Sequence, residues 1–131
     1  MNVSLKRVVD LTDEELVRCR QLSFGDEGYM CEDLDAILLG EKGKRRYRYS
    51  EAIFIHDHRM IYGWALMQPV PRSPRYTFQL FVDPEHRGKG YGHRLLTMGN
   101  GLQGWKHKPI CYPDDENEWF FNKYPSLYTE V

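Results

Sequence analysis

Apolar and polar positions along the chain follow two periods, one suited to strands and one to helices. Residues 3–9 alternate as a first strand would. Thr12-Asp13-Glu14-Glu15 then sets a hydroxyl at an N-cap position and a carboxylate three residues later, the spacing of a capping box. It predicts a helix over 13–22 with Leu16, Cys19 and Leu22 turned inward. A second helix is expected over 31–39, ended by Gly40. Three strand-like runs follow, at 49–56, 61–67 and 76–82. Asp57-His58-Arg59 makes a tight hairpin between the first two, and a proline-rich link, 69–74, turns the chain back before the third. In that third run Tyr76, Phe78, Leu80 and Val82 share one face, and Thr77, Gln79 and Phe81 the other. An amphipathic helix comes after Gly92, with Leu95, Met98 and Leu102 on one stripe and Gly99 and Gly101 weakening its second half. A strand over 108–112, a helix from Asp114 toward Tyr124 stopped by Pro125, and at most one further short strand complete the plan.

Composition narrows the class. A chain of 131 residues, 41% hydrophobic and 28% charged, with a net charge of -1, is expected to fold as one domain spanning 1–131 around its own core. Aromatics at 14% must fill much of the interior or line a site. No apolar run approaches the ~18 residues of a membrane span, and residues 1–6 lack the apolar stretch of a signal peptide. Cys19, Cys31 and Cys111 are odd in number and show no C-x-x-C spacing, so neither a disulfide framework nor a metal site is expected. A reducing cytoplasm is the expected setting.

The candidate chemistry lies where a strand runs directly into a glycine-rich turn that opens a helix. Such a turn aims successive backbone N–H groups at one point, and the helix N-terminus adds partial positive charge. Glycine lets a phosphate reach the backbone, so the turn implies pyrophosphate binding. Gly88-x-Gly90-x-Gly92 is not the G-x-G-x-x-G of dinucleotide folds, and no G-x-x-x-x-G-K-[ST] is present. It does match [RQ]-x-x-G-x-[GA], as Arg87-Gly88-Lys89-Gly90-Tyr91-Gly92.

The surrounding stretch, Leu80-Phe81-Val82-Asp83-Pro84-Glu85-His86-Arg87-Gly88-Lys89-Gly90-Tyr91-Gly92-His93-Arg94-Leu95-Leu96, closely resembles the acetyl-CoA-binding motif of the GNAT superfamily of N-acetyltransferases. The order of predicted elements up to Tyr124 is similar as well. The small, aromatic-rich chain looks like the minimal members encoded by phages. The resemblance implies an α+β (α/β) fold, a mixed and mostly antiparallel sheet flanked by helices with its C-terminal strands cut short. It implies acetyl-CoA as cosubstrate and no metal. The backbone of Arg87, Gly88, Lys89, Gly90, Tyr91 and Gly92 would cradle the CoA pyrophosphate. Leu80, Phe81 and Val82 would pair with the pantetheine arm like an added strand, and an N–H near Leu80 or Phe81 would serve as oxyanion donor.

A second match lies in the last helix. Asn117-Glu118-Trp119-Phe120-Phe121-Asn122-Lys123-Tyr124 is similar to the family pattern N-x-x-A-x-x-F-Y, with Phe120 in place of Ala. It places Asn117 at the cofactor and makes Tyr124 either the acid that protonates the departing thiolate or a packing aromatic at a helix end. The family's frequent Glu on the fourth strand has no counterpart before Asp83. Thr77 and Gln79 either hold a water chain that relays the amine proton or simply face solvent. Only seven residues follow Tyr124, which implies an open acceptor side suited to a macromolecule, and a sheet edge that invites a second copy of the chain.

Lys42, Lys44, Arg45, Arg46 and Arg48 precede the first of the three runs, and in an antiparallel meander Arg72 and Arg75 fall beside them. The cluster is either a solvated loop or a surface for an acidic partner. Three functions fit this reading: acetyl transfer to a primary amine, in the first place of a protein; a catalytically reduced module that grips a partner protein; and acetylation of an aminoacyl-tRNA or other nucleic-acid-linked amine.

Overall fold

The structure, a computed structural model, describes residues 1–24, 45, 47–102, 107–111 and 118–130. The helix expected at 31–39 lies outside the described residues. So do Lys42, Lys44, Arg46, Asn117 and the start of the last helix at Asp114.

β1 (Asn2–Arg7) gives way at Val8–Asp10 to a short 3-10 turn, so the first strand ends two residues earlier than its alternation suggested. The capping box forms as its spacing predicts. The Glu15 N–H donates to Thr12 Oγ1 at 3.1 Å, and the Thr12 N–H donates to Glu15 Oε1 at 2.9 Å. Helix α1 (Asp13–Phe24) starts there and buries Leu16, Cys19 and Leu22. Lys6 of β1 closes on Glu15 at 2.9 Å and ties the helix to the sheet.

β2 (Glu51–His56), β3 (Ile61–Pro69) and β4 (Tyr76–Val82) continue an antiparallel meander in the order β1-β2-β3-β4. Asp57 caps the β2–β3 hairpin by accepting the N–H groups of Arg59 at 2.7 Å and Met60 at 2.9 Å. β5 (Ile110–Cys111) and β6 (Thr129–Glu130) add to the β4 side in parallel, so the sheet, six-stranded among the described residues, is mixed. Both are two-residue strands; of the five residues expected for the fifth, Lys108 and Pro109 precede it and Tyr112 lies outside the described residues.

The apolar runs of β2 and β3 make sense because the sheet is covered on both faces. Ala52, Phe54, Trp64 and Leu66 pack under α1 with Leu16 and Cys19. Ile53, Ile55, Ala65, Met67 and Phe78 pack on the other face under helix α2 (Tyr91–Leu102) and the short α3 (Glu118–Phe121). The face that α2 buries differs from the stripe expected of it. Leu95, Leu96, Gly99 and Asn100 are buried, whereas Met98 and Leu102 are exposed. Gly99 sets this face: a Cβ there would stand 2.4 Å from the Phe78 ring, so α2 seats itself on β4 through the glycine. The glycine expected to weaken the helix is what lets it dock.

Candidate functional site

The site begins where β4 runs out. Asp83 donates its N–H to the Tyr62 carbonyl at 2.9 Å, while its Oδ1 accepts the Glu85 N–H at 3.0 Å and starts a single 3-10 turn, Pro84–His86. Its Oδ2 meets Arg18 Nη2 of α1 at 3.0 Å, and Arg18 Nε donates to the Ile61 carbonyl at 2.8 Å. The His86 ring lies 4.4 Å from that of Tyr62, with Nδ1 3.5 Å from Asp83 Oδ2. Burial pushes the Asp83 carboxyl up, but the Glu85 N–H and the Arg18 guanidinium outweigh it and hold the group below the usual carboxylate range. Sequence reasoning missed this junction. Asp before Pro is a legible cap, but Arg18 lies 65 residues upstream and carries no local signal.

Beyond His86 the loop turns sharply. Gly88 and Gly90 both adopt φ +82°, a conformation that favours glycine, and a Cβ at either would meet nothing within 4 Å. Arg87 and Lys89 are exposed beside them. The first α2 hydrogen bond runs from the Arg94 N–H to the Gly90 carbonyl at 3.0 Å, which leaves the N–H groups of Tyr91, Gly92 and His93 without helical acceptors. An open, cation-flanked turn of glycines that leads into a helix N-terminus fits a diphosphate. Gly92 has a different reason to be glycine: a Cβ there would stand 2.9 Å from the Phe120 ring of α3.

The β4 edge supplies the second part. Asp83 N–H points to β3, and at the other end the Arg75 carbonyl accepts the Val70 N–H. The register from Gly63↔Val82 to Pro69↔Tyr76 is unbroken, so odd-numbered residues of β4 turn their backbone groups toward β3. Phe81 therefore spends its N–H and C=O on the β3 ladder, and its ring stacks 6.0 Å from Trp64. Leu80 and Val82 present theirs to the opposite edge. There, among the described residues, β5 pairs with β4 only at Thr77↔Ile110. Among the described residues, no strand covers Leu80 and Val82 on that side.

Tyr124 packs against the same apolar cluster as Leu80 and Val82. Its ring stacks on His93 of the first α2 turn at 4.5 Å and 18° and meets Phe120 edge-on at 5.4 Å. No hydrogen bond among the described residues engages its hydroxyl. Phe120, in the family's Ala position, fills the notch at Gly92. Thr77 and Gln79 do share a face, and Thr77 Oγ1 donates to the Gln68 carbonyl at 3.4 Å. Cys111 is buried in the core, where desolvation pushes its thiol up to about 12.

The basic cluster lies at the other end of the strands, away from the glycine turn. Pairing of Glu51 with Met67 and of Pro69 with Tyr76 puts the start of β2 beside the β3–β4 turn. Arg48, whose guanidinium lies 4.9 Å over the Tyr49 ring, therefore shares an end with Arg72 and Arg75. Arg7 joins them and donates to the Arg48 carbonyl at 3.4 Å. Arg75 is partly spent on the Lys108 carbonyl at 3.3 Å. Among the described residues no helix is long and apolar enough to cross a membrane.

A strand edge left open beside a glycine turn and a helix N-terminus is the architecture of acyl-CoA-dependent acyltransferases, and comparison with known proteins agrees. The acetyltransferase (GNAT) domain family matches residues 49–124, and the chain belongs to this family. No curated protein matches it. Among solved structures, a GNAT-family protein from Desulfovibrio desulfuricans superposes with a TM-score of 0.70 at 13% identity, covering 96% of this chain and 84% of its own. A GNAT acetyltransferase from Brucella melitensis, in complex with acetyl-CoA, gives 0.60 at 14% over 91% and 81%. The PaiA N-acetyltransferase of Thermoplasma acidophilum, in complex with coenzyme A, gives 0.59 at 14% over 95% and 87%. At these identities the likeness is one of fold, an α+β GNAT sheet flanked by helices.

Proposed function

We propose that this chain, acting as one domain, transfers an acetyl group from acetyl-CoA to a primary amine, with a protein or other macromolecule as acceptor. The observation that carries the reading is the juxtaposition of the Gly88–Gly90 turn with the Leu80 and Val82 edge, which no strand covers among the described residues. Amides of the loop and the α2 N-terminus, with Arg87 and Lys89, hold the diphosphate. Leu80 and Val82 receive the amide-bearing arm as an added strand would. Acetyl-CoA supplies the acetyl group as an activated thioester when bound. The Leu80 N–H, fixed in the sheet, donates to the charge that develops on the carbonyl oxygen. As the C–N bond forms and the C–S bond breaks, the Tyr124 hydroxyl donates its proton to the departing thiolate, a group of comparable basicity, and the proton shed by the amine returns through solvent to the tyrosinate. Direct attack in a ternary complex needs no dedicated base to be fast, since positioning alone is worth an effective molarity of roughly 10⁵ M or more.

The absence of a carboxylate on β4 also favours a second reading, a reduced module that binds a partner protein. In either case the end carrying Arg7, Arg48 and Arg72 suits an acidic surface. A thermal melt with and without acetyl-CoA tests the first reading. At a hundred times Kd, binding adds ~2.7 kcal/mol, a shift of several °C. A variant carrying Arg87→Glu and Gly90→Asp is expected to lose the shift. No shift in the folded parent refutes the cofactor site. A shift without turnover across an amine panel selects the binding module.

A further inference from the structure

We infer that Asp83, held by Arg18, is the positioning residue of the diphosphate loop. The inference rests on the proposed acetyl-CoA site and adds to it a residue that touches no ligand. Asp83 joins four parts of the chain at one point. Its N–H completes the β3–β4 ladder on the Tyr62 carbonyl, and its Oδ1 orders the turn before the loop through the Glu85 N–H. Its Oδ2 carries the Arg18 guanidinium of α1 and lies 3.5 Å from the His86 ring nitrogen. Both partners are largely shielded, with side chains 20% and 17% exposed for Arg18 and Asp83. Arg18 is itself anchored on the Ile61 carbonyl, so the carboxylate cannot drift with its partner.

The consequence concerns the loop rather than the core. Gly88 and Gly90 are free of steric contacts, and glycine has more conformations to lose than any other residue. Left to itself such a loop would be ordered only by the ligand, at a cost in affinity. Clamping its first residues at Asp83 and His86 removes part of that cost beforehand. The capped turn hands the chain to Arg87 at a fixed place and direction, and the amides of Gly88 to Gly92 follow from there.

The test is CoA affinity by calorimetry at a temperature where every variant is fully folded, so that loss of stability alone leaves Kd unmoved. Asp83→Ala, which removes cap and ion pair, is expected to weaken CoA binding about tenfold. Asp83→Asn keeps an oxygen for the Glu85 N–H and should fall between Ala and the parent, and Arg18→Met should match it. Glu15→Gln, on the same helix as Arg18, removes the ion pair with Lys6 of β1 and serves as control: it lowers the melting temperature and leaves Kd alone. An Asp83→Ala protein that melts lower but binds CoA like the parent overturns the inference. A parent that binds no CoA overturns the acetyl-CoA site itself, and the inference with it.

Discussion

Gly90→Ala probes the loop with one carbon. At φ +82° an alanine is strained by about 1–2 kcal/mol. Alanine also restricts the unfolded chain, which returns ~0.4–1 kcal/mol to the folded state. Nothing lies within 4 Å of the new methyl, so no packing term is added. The net loss is therefore on the order of 1 kcal/mol, a fall of about 3–5 °C for a chain of this size. Binding should suffer more, because the methyl stands on the open loop and holds the diphosphate off the amides. Hydrogen bonds to charged groups are worth ~1.5–3 kcal/mol each, so losing one lowers affinity roughly tenfold to a hundredfold. Urea melts followed by tryptophan fluorescence give the first quantity, and calorimetry with acetyl-CoA the second. Unchanged affinity at the expected stability would refute the assignment of the diphosphate to this turn. A stability loss well beyond 3 kcal/mol would mean that the methyl meets protein atoms after all.

Three further outcomes are expected. Gly99→Ala drives a methyl into the buried Phe78 ring, so overpacking of ~1–3 kcal/mol should exceed the ~1 kcal/mol of helix propensity gained; urea melts should show a loss that Phe78→Leu partly relieves, and a stabilised variant would contradict the docking of α2. Tyr124→Phe should lower turnover 10²- to 10⁴-fold, roughly the range for a lost general acid, with acetyl-CoA affinity kept; unimpaired turnover would leave Tyr124 a packing aromatic on His93. Asp57 is held at about 2 by the Tyr62 hydroxyl and then the Arg59 N–H, against 3.8 for a free carboxyl. Its folded-state value is depressed, so its stabilisation is present above pH 3.8 and lost as pH falls through about 2. Acid titration of Asp57→Asn against the parent should show that segment of the stability curve flattened.

Much of the fold was legible because its signals are local. The Thr12–Glu15 capping box, the Asp57 hairpin and the alternation of 76–82 each depend on residues within a few positions of one another, and each formed as expected. The glycine turn was legible for the same reason. The errors fell where burial depends on a distant element. The stripe Leu95, Met98 and Leu102 was a sound helical pattern, but Phe78 of β4 pressing on Gly99 rotates the buried face toward Leu96 and Asn100. Gly92 read as part of the anion cradle, yet the Phe120 ring of α3 is what excludes a side chain there.

By itself the sequence determined the family, the strand–turn–helix unit and the residue types at the loop. These depend on backbone conformation and short-range capping, and both are encoded within a few neighbouring residues. The tertiary structure decided which of those groups can meet a ligand. Strand pairing turned the Phe81 backbone to β3 and those of Leu80 and Val82 to the opposite side. Chain folding brought Arg18 across 65 residues to Asp83, and His93 onto Tyr124. Hydrogen-bond direction in a sheet and contact between distant side chains follow from long-range packing, which no local window of sequence contains.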